Sequence, residues 1–488
     1  MSSVGCRVNS ELTTRPSTLG TLGRPVDIVF GRTVFVMPMK TLAQEMADWI
    51  SALRYESLPA EIIDKAKLVL LDTLGCAMGA LNAPPVRLAR LVAKEQGGNP
   101  LATPIGTDWQ TSTEHAAFIN ALAIRYLDFN DYTDVGNHPS TNIGAALSVA
   151  EAQSANGKEF LLAIVTAYEV HMRMREACVE QKDGWDNSTL EHYSMAALAG
   201  KLLRLSPEKL SHALAIAGAH ANTLAEVRRG KLSMWKGAAE AMSGKMGTYA
   251  ALLARAGVTG PLGVIDSDYG FAKQVVGKFA PNGLRRHDGK YHISRSCMKM
   301  WPCLFVAQAP IAAAMRLYEQ GVRADNISKI TIALSDFAYK QQKRFQRSGV
   351  STREDADHSV PYCVSRVFLD GTVWLPQFEE RKLTEPSVVE LMKKISFRRD
   401  LKLPKRMGAM VEVKLSDGRS LRARMPYGPG HTRNPVGEAN VAKKFHALAD
   451  EVLGEERARR AAEMILHVEE LPKLGSLMEA LAAPSKVH

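Results

Sequence analysis

Residues 121–142 have the sequence ALAIRYLDFNDYTDVGNHPSTN, an apolar helical pattern that is broken by Gly136 and Pro139. The stretch contains Arg125, Asp128, Asp131, Asp134 and His138. Enzymes often carry carboxylates and imidazoles in a loop that follows a helix, because such a loop can reach a cleft. The segment therefore predicts a helical framework with a functional site at a helix end.

The same residues also have a purely structural interpretation. Asp131 and Asp134 are typical turn or capping residues, and Arg125 could pair with one of them. From the residues alone, both interpretations of His138 stay open.

Helical patterns continue on both sides of this segment, from about residue 42 to residue 275. After Pro59, one predicted helix face carries Ile62, Ala66, Val69, Leu70 and Leu74. Ser206, Pro207 and Glu208 predict a helix start, with a capping hydroxyl, a first-turn proline and an acid near the positive end of the helix dipole. Alanine and glycine are frequent here, which predicts closely packed helices.

The pattern changes after about residue 275. Ile330, Ile332 and Leu334 alternate with other residues, as expected for a half-buried strand. Two more alternating runs flank Asp417-Gly418, and a DG step between such runs predicts a β-hairpin. The fold class is therefore predicted to be mainly α, with a large all-helical domain and a smaller α+β domain.

The predicted domain boundaries follow these changes. Residues 41–275 form the helical domain, residues 276–430 the α+β domain, and residues 431–488 helices that return to the first domain. Residues 1–40 are predicted to be a separate tail. Residues 1–36 are rich in Ser, Thr, Gly and Arg, and the alternatives are a disordered tail, a start site placed too early, or an organelle-targeting segment.

Composition excludes several classes of protein. Hydrophobic residues make up 46% and charged residues 23%, as in soluble globular proteins, and the longest apolar runs are too short to cross a bilayer. We expect no membrane partner and a cytoplasmic location, or the mitochondrial matrix if residues 1–36 are a targeting segment. The net charge of +11 is dispersed, with no nucleic-acid-binding motif, so we expect no nucleic-acid partner. A basic surface could instead attract a small polyanion.

Common cofactor and catalytic motifs are absent from the sequence. It contains no GxGxxG after a strand, no GxxxxGK[ST], no HExxH and no GxSxG. Nucleotide-binding, zinc-hydrolase and serine-hydrolase functions therefore have no support from sequence motifs. The cysteines show no CxxC pair and no metal spacing, and they are Cys6, Cys76, Cys178, Cys297, Cys303 and Cys363. We predict reduced, mostly buried thiols that hold no iron–sulfur cluster.

The segment quoted above, with the two residues that follow it, contains IRYLDFND…GNHPSTNIG. Other distinctive runs are LDTLGCAMGA (71–80), GWD (184–186), KLLRLSPEKLSHALAIAG (201–218), SMWKGAA (233–239), RAGVTGPLGV (255–264), KMWPCLFVAQAPIAAA (299–314) and DHSVPY (357–362). In content and order these runs resemble the MmgE/PrpD family, whose activities include 2-methylcitrate dehydration and cis-aconitate decarboxylation. The resemblance covers about residues 42–470. It implies a helical domain, an α+β lid domain, a homodimer, no metal and no cofactor.

The resemblance also implies site residues. Asp128 and His138 fall in the family's first active-site loop, Lys299 begins the lid's KxxP segment, and Tyr362 is the tyrosine of its DHxxxY motif. We expect these four to be catalytic, although Lys299 could be a surface lysine and Tyr362 a core tyrosine.

Binding roles are expected for Arg125, Asn187, His192 and Lys236. Arg125, Lys236 and Lys299 would hold substrate carboxylates, while His138 transfers a proton with Asp128 as its partner. Lys236 matches a family lysine only approximately, because other branches carry it at the position of Ser233.

Two departures from the family pattern affect the assignment of acid and base. Many relatives have a histidine beside the GWD-like motif, where this chain has Asp186-Asn187, and His192 is five residues further on. Relatives similar to the dehydratase often have FHSQ where this chain has FVAQ, so Val306 replaces an imidazole.

The leading hypothesis is a metal-independent lyase that dehydrates 2-methylcitrate. Alternatives are decarboxylation of cis-aconitate and epimerisation of an amino-dicarboxylate such as iminodisuccinate. A different class would be a catalytically silent relative that binds a polyanion. In every case the expected partner is a small polycarboxylate.

Overall fold

The computed structural model describes residues 29–30, 33–34, 39–220, 222–229, 232–345 and 350–483. Residues 1–40 form a unit of their own, in which β1 (Val29–Phe30) pairs antiparallel with β2 (Thr33–Val34). Most of the predicted tail, and with it the targeting alternative, lies outside the described residues.

The first part of the second unit, residues 41–488, is built from helices. They are α1 (Leu42–Ala52), α2 (Ala60–Gly79), α3 (Pro84–Gln96), α4 (Thr113–Tyr126), α5 (Asn142–Ala152), α6 (Gly157–Ala177), α7 (Glu191–Leu202), α8 (Pro207–His220) and α9 (Trp235–Ala256). The predicted start of α8 is confirmed, because Ser206 Oγ accepts from the Lys209 amide at 3.3 Å. In the described residues no single helix is long and apolar enough to span a membrane, although α2 and α3, which meet at 85°, satisfy both conditions as a pair.

Small residues let these helices approach closely, as the composition predicts. Gly144 of α5 lies against α4, where an added Cβ would come within 2.3 Å of the Ala121 amide nitrogen. The predicted apolar face of α2 is buried in the same core. This packing fixes the end of α4, and therefore the loop that follows it.

A short strand pair interrupts the helical pattern, which the sequence analysis did not predict. β3 (Cys178–Gln181) follows α6 directly and pairs antiparallel with β4 (Val276–Phe279). The short helices α10 (Phe271–Gln274) and α11 (Asn282–Arg285) flank β4. These strands join two points of the chain almost 100 residues apart.

The α+β part has its own hydrophobic core. Its elements are α12 (Gln308–Glu319), β5 (Ile327–Leu334), α13 (Asp336–Phe345), α14 (Arg353–Asp357), α15 (Val360–Asp370), α16 (Glu380–Leu383), α17 (Pro386–Lys393), β6 (Ile395–Arg399), β7 (Ala409–Leu415) and β8 (Ser420–Met425). The sheet order is β6-β5-β7-β8, with β6 parallel to β5 and the other pairs antiparallel. The predicted hairpin at Asp417-Gly418 is confirmed, and Gly418 has φ +89°, which glycine adopts without strain.

The chain ends in α18 (Glu438–Leu453), α19 (Glu455–Leu466) and α20 (Gly475–Ala480). α18 packs on α2, where Phe445 contacts the backbone at Gly75 and Lys444 Nζ donates to Asp72 at 2.8 Å. The mainly α fold with a smaller α+β part is confirmed. The boundaries at 275/276 and 430/431 stay predictions, because residues 41–488 form one compact unit. The cysteines among the described residues are buried and form no disulfide.

Candidate active site

The loop after α4 carries Asp128, which has an unusual backbone conformation. Its φ angle is +50°, a region that costs a non-glycine residue about 1–3 kcal/mol. Its carboxylate is completely buried. Lys299 donates to the main-chain carbonyl of Asp128 at 2.7 Å and also to its carboxylate. Two bonds from one ammonium group therefore hold the strained residue in place.

Two further cations surround the Asp128 carboxylate. Arg125, one turn earlier on α4, lies 3.1 Å from Oδ1, and Lys236 of α9 lies 3.2 Å from Oδ2. Burial alone would raise the pKa of Asp128, but the charges of Arg125, Lys299 and Lys236 hold it well below its usual value. Asp128 is therefore the ionised counter-charge of three cations.

Asp357 and His358, at the C-terminal end of α14, complete this group. Lys236 donates to Asp357 Oδ1 at 2.8 Å, so it bridges two buried carboxylates. His358 Nδ1 hydrogen-bonds Asp357 and lies 3.6 Å from Asp128 Oδ2. We call Arg125, Asp128, Lys236, Lys299, Asp357 and His358 the Asp128 cluster.

His138 borders this cluster and presents an unprotonated nitrogen. Its Nδ1 lies 2.7 Å from the carbonyl oxygen of Asp131, which can only accept, so Nδ1 carries the proton of the neutral ring. Nε2 lies 4.0 Å from Asp128 Oδ1, which is too far for a hydrogen bond. Burial lowers the pKa of His138 well below its usual value, and the charges of Arg125 and Lys299 lower it further. The ring is oriented by Asp131 rather than by the expected partner Asp128.

The residues around Asp128 do not suit a metal ion, although three of them have donor atoms within 4.8 Å of one another: Asp128, Asp357 and His358. Lys236 Nζ already lies among these donors, 3.2 Å from Asp128, 2.8 Å from Asp357 and 3.0 Å from His358 Nδ1. A divalent cation would meet this ammonium, and Lys299 and Arg125 would add further repulsion. The donor set fits the ammonium group of Lys236 better than a metal.

A cavity of about 550 Å³ lies beside the Asp128 cluster, within the range of small-molecule sites. The charged and imidazole side chains on its walls are Arg125, His138, Arg175, Asp186, Glu191, Arg228, Arg229, Glu240, His358 and Arg406. Leu304, Phe305 and Phe337 add an apolar patch. The cavity wall therefore combines many cations with two imidazoles, and burial lowers the pKa of both.

Three of the arginines on the cavity wall are paired with carboxylates of the protein. Arg228 lies 2.8 Å from Asp186 and also contacts Glu240, which in turn contacts Arg125. Arg229 lies 3.3 Å from Asp183. Their charge is therefore compensated within the chain.

Arg175 and Arg406, which we call the arginine pair, differ from these three. Arg175 donates to the Cys178 carbonyl at 3.0 Å and Arg406 to the Val135 carbonyl at 2.9 Å, and neither has a carboxylate within salt-bridge distance among the described residues. The Nε atom of Arg175 is buried and has no hydrogen-bond partner among the residues that the structure describes. Burial and the nearby charge of Arg175 lower the pKa of Arg406. The arginine pair therefore offers positive charge to an anion from outside the protein.

The structure brings most of the sequence-predicted residues together. Arg125, Asp128, Lys236 and Lys299 contact one another in the Asp128 cluster, and His138 lies beside them. Asn187 borders the cavity. Lys299 is completely buried, so the surface-lysine alternative is wrong.

Two predicted residues lie outside both the cavity wall and the Asp128 cluster. His192 is 3.3 Å from the Ser188 carbonyl and 3.0 Å from Ser243 Oγ, and burial lowers its pKa to about 4. The Tyr362 hydroxyl donates to the Gln377 carbonyl in the core of the α+β part. The geometry gives both residues structural contacts, and Tyr362 matches the core-tyrosine alternative.

Sequence reasoning missed several residues of the cavity and cluster. Asp357 and His358 begin the DHSVPY motif, so attention to its first two letters could have found them. Glu240 lies four residues after Lys236 on α9, which places both on one helix face. The α+β part therefore still contributes an imidazole, that of His358. At Val306, where relatives similar to the dehydratase often have a histidine, it contributes none. No sequence motif singles out the remaining four residues, which are Arg175, Glu191, Arg228 and Arg406.

Comparison with known proteins identifies the MmgE/PrpD family. A model of the MmgE/PrpD N-terminal domain matches residues 44–283, and one of the MmgE/PrpD C-terminal domain matches residues 301–470. Cis-aconitate decarboxylase of Mus musculus is 27% identical over 476 residues, which cover 92% of this chain and 95% of that protein. 2-Methylcitrate dehydratase of Salmonella typhimurium is 26% identical over 440 residues, covering 82% of this chain and 88% of that protein. 2-Methylcitrate dehydratase of Escherichia coli (strain K12) is 27% identical over 381 residues, covering 72% and 76% respectively.

Proposed function

This chain belongs to the MmgE/PrpD family, and from that premise we propose that it is a carbon–oxygen lyase that removes water from a small polycarboxylate. The relatives named above are lyases, which supports the reaction class. The observation that carries the proposal is the presence, in one cavity, of the arginine pair and the unprotonated Nε2 of His138.

The charges of the cavity support a substrate with more than one carboxylate. Arg175 and Arg406 have no carboxylate partner among the described residues, and guanidinium groups bind carboxylates through paired hydrogen bonds. Each of the two guanidinium groups can bind one carboxylate, so the arginine pair offers positions for two. A monocarboxylate would leave part of this positive charge uncompensated.

Elimination of water begins with removal of a proton from the carbon beside a carboxylate. In the proposal His138 Nε2 takes this proton, because it is the unprotonated nitrogen of a neutral ring in the cavity. The electron pair of the C–H bond forms the double bond, and the C–O bond breaks. The departing hydroxyl needs a proton from a second group to leave as water.

The same cations that lower the pKa of His138 assist the reaction. Negative charge develops on the substrate carboxylate as the proton leaves, and buried cations stabilise it strongly. Bound substrate carboxylates partly cancel the positive field, which raises the pKa of His138 toward its usual range. Asp128 keeps Arg125, Lys236 and Lys299 in place.

The first candidate substrate is 2-methylcitrate. The IRYLDFND…HPS and DHxxxY motifs resemble those expected of the dehydratase branch, and Leu304, Phe305 and Phe337 offer apolar contacts for the methyl group. One methyl group is worth only about 1–3 kcal/mol of discrimination, so citrate is expected to react more slowly rather than to be refused.

Decarboxylation of cis-aconitate is the second candidate. It is favoured by the cis-aconitate decarboxylase of Mus musculus, which aligns with 92% of this chain. The same cavity would bind its three carboxylates. The two candidates differ in product, since one releases water and the other carbon dioxide.

The test is product analysis with the purified full-length protein. 2-Methylcitrate and cis-aconitate are incubated separately, and the products are identified by proton NMR. We expect the unsaturated tricarboxylate from 2-methylcitrate. Carbon dioxide and an unsaturated dicarboxylate from cis-aconitate alone would favour the second candidate. No product from either, with binding of both, would favour a silent polyanion-binding relative and contradict the proposal. Assembly as a homodimer stays a prediction that light scattering of the same preparation can test.

A further inference from the structure

Glu191 is a buried carboxyl group that the reaction above does not use. It is the first residue of α7, it lies on the wall of the cavity, and only 2% of its surface is exposed. Its Oε2 is buried without a hydrogen-bond partner among the described residues. A carboxyl group in such a place is costly unless it finds a partner or stays neutral.

The charged groups around Glu191 already form ion pairs with one another. They are Glu240 on α9, Arg125 on α4, Arg228 in the 3₁₀ helix Ala225–Arg228, and Asp186 before α7. Glu240 contacts both arginines, and Arg228 also lies 2.8 Å from Asp186. An ionised Glu191 would place a third carboxylate beside two guanidinium groups.

The environment therefore favours the neutral form of Glu191. Burial raises its pKa well above the usual value, and Glu240 raises it further, against the opposite effect of Arg228 and Arg125. His138, in the same cavity, has its pKa moved in the opposite direction. A protonated carboxyl and an unprotonated imidazole on the wall of one cavity are the arrangement expected of an acid and a base that act together.

We propose that Glu191 is the acid that gives its proton to the departing hydroxyl, an inference that rests on the lyase function proposed above. His138 Nε2 takes the C–H proton and leaves the electron pair on the substrate, where the adjacent carboxylate stabilises it. This pair then forms the double bond as the C–O bond breaks. The Glu191 proton joins the hydroxyl and water leaves. Glu191 is then a carboxylate and His138 an imidazolium, and transfer of a proton between them through solvent restores both.

The first experiment compares E191Q with the wild type in heavy water, using 2-methylcitrate. Glutamine keeps the size of the side chain but has no acidic proton to give. We expect kcat for elimination to fall roughly 10²–10⁴-fold, the usual contribution of a general acid. Exchange of the substrate C–H with deuterium is expected to continue, because His138 is unchanged. E95Q is the matched control, since Glu95 near the end of α3 is exposed and does not line the cavity, and its kcat should stay within about twofold of the wild type.

The pH profile gives a second readout of the same role. Elimination needs protonated Glu191, so kcat of the wild type is expected to fall as pH rises through the raised pKa of this group. The residual activity of E191Q is expected to lack this alkaline decline. Elimination by E191Q at the wild-type rate, with the same alkaline decline, would overturn the proposal. Loss of exchange together with elimination would also overturn it, because Glu191 would then support the base.

A measurement without substrate separates this inference from the proposed function. Infrared difference spectroscopy of wild type minus E191Q at neutral pH is expected to show the carbonyl stretch of a protonated carboxylic acid. E191L supplies the reference spectrum if E191Q does not fold. Absence of the band would overturn the proposal whatever the substrate is. If the band is present but the wild type eliminates water from no polycarboxylate tested, the proposed lyase function fails, and Glu191 is a neutral buried acid without the catalytic role.

Discussion

The Asp128 cluster and the arginine pair carry the same kinds of cation but obtain their counter-charge differently. In the cluster, Lys236, Lys299 and Arg125 surround the buried carboxylates Asp128 and Asp357. In the arginine pair, Arg175 and Arg406 donate only to main-chain carbonyls within the described structure. Positive charge alone therefore does not identify a binding residue. A cation with a buried protein partner stabilises the site, whereas a cation without one can bind the substrate.

The largest effect should follow from removing Lys299. K299M leaves Asp128 as a buried carboxylate without its closest ammonium, and breaking such a pair costs roughly 3–5 kcal/mol. The free energy of unfolding, measured in urea, is expected to fall by that amount, and activity to be lost. The control K393M removes a lysine whose ion pair with Glu390 is exposed, with an expected change of less than about 1 kcal/mol.

The stability lost in K299M should also change with pH. The pKa of Asp128 is lowered in the folded protein, so its stabilisation is fully present above the ordinary value of about 3.9 and is lost as pH falls through the lowered value. K299M is expected to show a weaker loss of stability in acid than the wild type. Equal stability of K299M and K393M would contradict the structural role of the cluster.

The next effect tests whether His138 differs from a buried structural histidine. H138A removes the proposed base, and kcat is expected to fall roughly 10²–10⁴-fold. H192A is the matched control, because His192 is buried against Ser188 and Ser243 and lies off the cavity wall. We expect H192A to lose stability and keep kcat. Near-normal turnover by H138A would refute the assignment of the base.

Substitution of either residue of the arginine pair should have an intermediate effect, mainly on substrate binding. R175Q and R406Q each remove hydrogen bonds between charged groups, worth about 1.5–3 kcal/mol, so KM is expected to rise roughly 10–150-fold with kcat less affected. R229Q is the control, since its side chain is 49% exposed and it pairs with exposed Asp183, and its KM should change less than about fivefold. The three variants are compared by steady-state kinetics at two salt concentrations. Equal KM values in all three would remove the distinction between paired and unpaired arginines.

The smallest effect is expected at Tyr362, the motif tyrosine that the structure places in a core. Y362F removes the hydroxyl that donates to the Gln377 carbonyl and accepts from Arg366 Nε at 3.1 Å. The free energy of unfolding should fall by about 1–2 kcal/mol while kcat and KM stay unchanged. Thermal unfolding and kinetics of one preparation measure both. A hundredfold fall in kcat would show instead that Tyr362 reaches the substrate.

Features encoded within one short stretch of chain could be predicted from the sequence. The apolar face of α2, the start of α8 and the hairpin at Asp417-Gly418 each depend on neighbouring residues. Arg125, Asp128 and His138 were found together for the same reason, because they flank one loop. The strands β3 and β4 were missed, because each has four residues and its partner is almost 100 residues away.

Contacts between distant segments were the part that sequence could not supply. DHSVPY pointed to Tyr362, but α15 begins at Val360 and buries the tyrosine, while Asp357 and His358 stay beside Asp128. His192 lies on α7, facing Ser243 of α9. Arg406 reaches the cavity from the segment between β6 and β7, and nothing in its local sequence indicates this.

The most direct test of the proposed base is proton NMR of 2-methylcitrate in heavy water with the wild type and H138A side by side. The wild type is expected to form the unsaturated acid. Folded H138A is expected to catalyse both elimination and deuterium incorporation roughly 10²–10⁴-fold more slowly. Equal elimination by both proteins would contradict the central claim that His138 in the arginine-lined cavity is the base. Deuterium incorporation by the wild type into a dicarboxylate such as iminodisuccinate, without elimination from 2-methylcitrate, would show that the cavity serves epimerisation.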